Sequence, residues 1–218
     1  MDGVITMDDA RALVGDAMLW PRVRDFLWDF APQVHDSWIE PSLLPHRDSP
    51  RVRRYILDSL GVEPCFHAFP KEDGSRMLLL DGKTLESIAK WLGALALADD
   101  LRHVTSGATV RELKSAFRGV YPDVFGYTAY FERDLSDLRD AKDGEGGVGV
   151  VDRVVPLGLS MLHSSLGALP SSLVSRLKFK LSKNLCDSAS LRLKQETCGR
   201  VLAKLLKLKF PEAYKLCC

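Results

Sequence analysis

"MLLLDGKTLESIAKWLG", residues 77–93, sets an apolar run, a Gly-Lys-Thr triplet and a helical pattern in succession. Two different structures share that outline: a nucleotide-binding strand, loop and helix, or a capped packing helix. A phosphate loop of the Walker A kind needs G-x-x-x-x-G-K-[ST], because its glycines let backbone N–H groups curl around the phosphates. With Gly82-Lys83-Thr84 as its end, the first glycine falls on position 77, which is Met77. Leu78, Leu79, Leu80 and Asp81 would then fill the cradle with branched side chains and a carboxylate. A helix explains the stretch better. Asp81 suits the N-cap, and Leu85, Ile88, Ala89, Leu92 and Leu95 recur at helical spacing after an extended segment. A nucleotide-binding protein acting through Gly82-Lys83-Thr84 is retained as an alternative.

Working outward, most segments repeat this 3.6-residue period. Residues 7–18 read as a helix capped near Thr6 or Asp8, and Pro21 ends it or starts the next. The aromatic stretch that follows, to about His46, reads as a short helix and a packed loop punctuated by prolines. Ser49, Pro50 and Gly61 are the start and stop signals of another helix. A short hairpin is expected around Glu72-Asp73-Gly74. In "SGATVRELKSAF" the pair Thr109 and Glu112 forms a capping box, and "YTAYFERDLSDLRDA" continues in helix. "GEGGVG", residues 144–149, fits a dinucleotide glycine pattern in form only, since polar "DLSDLRDAKD" precedes it rather than a buried strand. Residues 143–150 are expected to be a flexible connection. An uncharged helix near 157–169 and basic helices at about 171–184 and 188–209 complete the chain, the last with Cys198, Val201, Leu202, Leu205 and Leu208 as its apolar stripe. Nothing alternates long enough for a large sheet. The expected fold is mainly α, a single compact multi-helix domain over 1–218 with at most a minor short hairpin, ending in basic C-terminal helices at 171–209.

Hydrophobic residues make up 46% of the 218 and charged residues 27%, so the chain is expected to bury a core of ordinary size. Its formal net charge of +1 hides a split. Residues 171–218 hold 11 Lys and Arg against 3 Asp and Glu, leaving 19 against 26 for the rest. The start, "MDGVITMDDARALV", lacks the basic and apolar regions of an export signal, so a cytosolic location is expected. The uncharged window Val154–Ser175 is long enough to cross a bilayer, but two prolines, two glycines and six serines make a buried helix the expectation and a membrane span not. Five cysteines without metal-ligand spacing read as reduced thiols.

Catalytic chemistry finds little to stand on. The five histidines, His35, His46, His67, His103 and His163, are scattered. Asp8-Asp9 and Asp99-Asp100 are sequence neighbours, which do not face each other on a helix. Ser164-Ser165 lacks a nucleophile elbow. No catalytic residue, metal or cofactor is expected. The strongest feature is cationic: Arg176, Lys178, Lys180, Lys183, Arg192, Lys194, Arg200, Lys204, Lys207 and Lys209. These suit a solvated helical face or an acidic protein partner better than nucleic acid, which would add exposed aromatics or a reading element. Nucleic-acid binding through the basic C-terminal helices is the second alternative. Arg200, Lys204, Lys207 and Lys209 are the candidates for partner binding. Trp28, Trp38 and Trp91 lie in aliphatic surroundings and are expected in the core.

"HAFPKEDGSRMLLLDGKTLESIAKWLGALAL" resembles the central signature of the K subunit of type III secretion sorting platforms, the SctK or YscK-like family. The matching positions are His67, Phe69, Pro70, Leu79, Leu80, Asp81, Leu85, Trp91, Leu92 and Gly93. "HDSWIEPSLLP" and "LLKLKFPEAYKLCC" are similar to that family's flanks, and residues 125–175 match it least. The resemblance implies a non-enzymatic adaptor at the cytosolic side of the bacterial inner membrane. It would join the cytosolic domain of the inner-membrane ring protein (SctD-like) to the pod subunit (SctQ-like), with no small-molecule substrate, nucleic acid or direct membrane span. The signature residues read as cap, turn and core.

Overall fold

The computed structural model describes residues 11, 14, 17–63, 66–70, 74–136, 149–167, 169–186 and 193–218. Its helices are α1 (Trp20–Leu27), α2 (Pro50–Ser59), α3 (Gly82–Ala96), α4 (Ala98–Arg102), α5 (Gly107–Ala116), α6 (Thr128–Ser136), α7 (Val150–Ser165), α8 (Ser171–Lys180), α9 (Lys183–Cys186), α10 (Gln195–Lys209) and α11 (Pro211–Cys217). No strand occurs among the described residues, so the mainly α expectation holds. The chain divides into two compact units: Met1–Gly82 with Ala168–Lys183 and Leu216–Cys218, and Lys83–Gly167 with Asn184–Lys215. The expected 7–18 helix and 143–150 connection lie largely outside the described residues.

In the first unit, α1 opens with Pro21 in its first turn and buries Val23, Phe26 and Leu27. The stretch after it is too rich in proline for a long helix, and folds as three 3-10 turns, Ala31–Gln33, Asp36–Trp38 and Pro41–His46. α2 follows its signals closely: Ser49 is extended at the N-cap, Pro50 takes the first turn, and Gly61 beyond the end has φ +63°. The segment before α3, expected to be extended, is a 3-10 helix instead, Ser75–Leu79. Its entry residue Gly74 has φ +73°; Glu72 and Asp73 of the expected hairpin lie outside the described residues. Met77, Leu78, Leu79 and Leu80 are all buried, and both α1 and α8 pack on this turn. At the centre, Phe26 meets Phe30 and Phe69 edge to face, with ring centroids 5.4 and 5.6 Å apart.

The second unit is built around α7, which α10 and α5 both contact. α7 begins at Val150, seven residues before the expected start, and takes in Asp152 and Arg153. Pro156 lies inside it. Ser160 Oγ donates to the Pro156 carbonyl at 2.9 Å in the turn beyond it. The N-cap of α5 is Ser106, whose side chain accepts from the Thr109 N–H at 3.4 Å; the capping box assigned to Thr109 therefore starts three residues too late. Among the described residues no helix is long and apolar enough to cross a membrane.

Candidate interaction surface

The candidate cations stand on α10. Cys198, Val201, Leu202 and Leu205 are buried along its inner stripe as expected, joined by Leu206. Leu208, expected in the same stripe, is 44% exposed. Positions 200, 204 and 207 share the other side at spacings of four and three residues.

Most of this charge is already used inside the second unit. Arg200 Nε donates to Asp134 Oδ1 at 3.2 Å, and its Nη1 pairs with Glu196 at 2.7 Å. Lys204 Nζ donates to the other oxygen of Asp134. Asp134, on α6, is 6% exposed, so one buried carboxylate holds two half-exposed cations of α10. The hydrogen bond from Lys204, with a smaller contribution from Arg200, keeps the Asp134 carboxyl below the usual aspartate range against the opposing effect of burial. Lys209 Nζ lies 4.4 Å from the Trp91 ring centre and 4.1 Å from that of Tyr127, and these two rings meet edge to face. Lys207 is exposed and makes no ion pair or ring contact among the described residues. Of the four candidates, the structure leaves Lys207 uncommitted, beside exposed Leu208.

Two further cations of the basic tail are not on a solvated face. Arg176 and Lys180, one turn apart on α8, are 1% and 2% exposed. The Arg176 guanidinium donates to the carbonyls of Phe26 and Leu27 at the end of α1, and to that of Glu63 at 2.8 Å. It lies over the rings of Phe26 and Phe30, at 5.3 and 5.4 Å. Lys180 Nζ donates to the carbonyls of Leu78 and Leu80, at 2.5 and 2.8 Å. Burial lowers the Lys180 pKa to about 7, partly opposed by nearby Asp81. The signal for both is in the sequence. Positions 173, 176, 177, 180 and 181 share one side of a helix, and three of them are leucines.

The family-signature residues fall on packing positions. His67 and Phe69 stack edge to face at 5.2 Å. Phe69 has φ +53° while fully buried, and its carbonyl accepts from Arg76 Nε at 2.8 Å before Pro70 turns the chain. Leu79, Leu80, Leu85, Trp91 and Leu92 are buried, and Asp81 is exposed immediately before α3. Trp91 is therefore in the core as expected, but Trp28 is 36% exposed and Trp38 half-buried. The Gly-Lys-Thr triplet opens α3 with its glycine against the Lys180 carbonyl, 2.3 Å from where a Cβ would stand. A backbone acceptor there repels a phosphate rather than holding one. Elsewhere in the second unit, an open groove of about 270 Å³ between Leu95 and Leu135 is crossed by Arg102, whose Nη2 donates to Thr128 Oγ1 at 2.6 Å. No group of three or more His, Cys, Asp or Glu side chains suited to a metal ion occurs among the described residues.

These features describe a helical protein whose distinctive side chains pack, cap or line a charged surface. A family model described as "YOP proteins translocation protein K (YscK)" matches residues 25–119, the stretch that holds the whole central signature. Over that stretch the chain is similar to the YscK family, and the match supports a YscK/SctK-like type III secretion protein. Curated proteins and solved structures give no match.

Proposed function

We propose that the protein is a non-enzymatic adaptor of the cytoplasmic sorting platform of a type III secretion system. It links the cytosolic domain of the inner-membrane ring protein to the pod subunit, and so lies at the cytosolic side of the inner membrane. The observation that carries this proposal is the family match over residues 25–119, taken with the use made of the matched residues. His67, Phe69, Pro70, Leu80, Trp91, Leu92 and Gly93 serve turns and helix packing, which is what a scaffold asks of them. Surface charge then becomes the means of contact. On α10 that means Lys207 and the exposed heads of Arg200 and Lys204, facing an acidic partner surface.

Co-expression with each partner, followed by size exclusion and light scattering, tests the proposal. A stable binary complex with at least one partner is expected, weakened by salt and by Lys207→Glu. A lone monomer in the presence of both folded partners would contradict it. Nucleotide binding is the competing function, and calorimetry with ATP or GTP and magnesium is expected to give no heat of binding.

A further inference from the structure

Two cations, one from α8 and one from α9, converge on Trp38 of the proline-rich loop. The Trp38 ring is fixed from two directions. Its indole Nε1–H donates to the Leu181 carbonyl at 2.8 Å, and the ring meets Phe179 edge to face at 5.2 Å. The loop on either side is pinned to the same turn: the His35 N–H donates to the Phe179 carbonyl at 2.7 Å, and the Lys183 N–H to Ser37 Oγ at 2.9 Å. A half-buried indole held this way loses little freedom when something settles on it.

Charge is gathered around that plate. Lys178 Nζ lies 5.1 Å from the Trp38 ring centre and Lys183 Nζ 5.7 Å, which puts the two ammoniums within about 11 Å of each other. Both side chains are exposed. His35 is exposed beside them; its Nδ1 accepts from the Ser37 N–H at 3.1 Å, which leaves Nε2–H as the donor of the neutral ring. The carboxylate of neighbouring Asp36 is paired with Arg47 at 2.6 Å. Lys183 makes no ion pair among the described residues.

We propose that Trp38, Lys178 and Lys183 form a docking site for an acidic segment of a partner polypeptide, separate from the α10 surface. Two carboxylates a few residues apart reach both ammoniums, while an apolar side chain between them lies on the indole. The patch is two lysines wide. A nucleic-acid backbone or an anionic bilayer needs a longer run of cations than this.

The test is a titration of the full-length, nitrogen-15-labelled chain with a short glutamate-rich peptide, following the Trp38 indole N–H resonance, assigned by its loss in Trp38→Phe. The expected result is a saturable, salt-sensitive shift of that resonance. Affinity falls about tenfold in the double variant Lys178→Glu/Lys183→Glu, and is retained at this resonance in Lys207→Glu. Should the double reversal disturb the free spectrum, the neutral pair Lys178→Gln/Lys183→Gln takes its place. An unmoved Trp38 resonance overturns the proposal, as does a response abolished by Lys207→Glu alone. Tighter binding of a DNA duplex or of phosphatidylglycerol vesicles at the same resonance overturns the choice of an acidic polypeptide. Because the readout is local to Trp38, these outcomes are distinct from failure of the adaptor assembly.

Discussion

Gly93 of α3 and Gly158 of α7 let two helix backbones touch. A Cβ on Gly93 would stand 1.7 Å from the Val154 carbonyl oxygen, and one on Gly158 would stand 1.8 Å from that of Ala89. Atoms cannot approach so closely, so only glycine fits either position without moving a helix. The Trp-Leu-Gly end of the family signature thus has a physical meaning: Gly93 is where α7 crosses.

Replacing Gly158 by alanine is expected to cost about 3 kcal/mol, as overpacking of a closed contact does. Gly199, on α10, has nothing within 4 Å of the place a Cβ would take. Gly199→Ala is expected to stabilise by about 0.5–1 kcal/mol through helix propensity. Urea denaturation of both variants checks the pair, and equal effects would contradict the crossing.

Lys180 makes stability depend on pH in a definite direction. Its pKa is about 7 in the folded chain against an ordinary value of 10.5. Between these limits the unfolded chain binds more protons, so stability rises with pH from about 7 towards 10.5. A neutral amine still has two N–H donors for the Leu78 and Leu80 carbonyls. The denaturation midpoint is expected to increase between pH 7 and pH 9 in the native chain, and this increase is expected to shrink in Lys180→Met.

Asp134 acts in the same direction, but in the acid range. Its carboxyl is held below the usual range by Lys204 and then Arg200, so its stabilisation is present at neutral pH and is lost as acid protonates it. Asp134→Asn is expected to cost about 1–2 kcal/mol at pH 7, discounted because both cations are half exposed. At a pH low enough to protonate the aspartate, the cost should vanish in a denaturant series.

Lys209 covers Trp91 and Tyr127, and Lys209→Ala is expected to lose about 0.5–1 kcal/mol and to shift the tryptophan emission to the red. An unchanged emission maximum would remove the cation from the Trp91 environment.

Much of the helical order is legible from punctuation alone. Ser49, Pro50 and Gly61 bound α2 as expected, because caps and breakers act over a few residues. Period is less informative where burial overrides polarity. Arg176 and Lys180 look like surface charge, yet their long stems sit on an apolar helix side and their heads find main-chain carbonyls. The start of α7 is hidden because Asp152 and Arg153 break the uncharged run, and the 3-10 turn at Ser75–Leu79 carries no period to read. On the candidate surface, charge count names Arg200, Lys204, Lys207 and Lys209 together. Only the fold separates Lys207 from three that Asp134, Trp91 and Tyr127 already engage.

An adaptor must bridge two proteins, and a three-component mixture reads that property without intermediate steps. The ring protein's cytosolic domain is mixed with the pod subunit, with and without this chain, and complex masses are determined by light scattering after size exclusion. The two partners are expected to co-elute in one species, at a mass that includes all three proteins, only when the chain is present. Co-elution of the partners without it, or their separation in its presence, would contradict the bridging role.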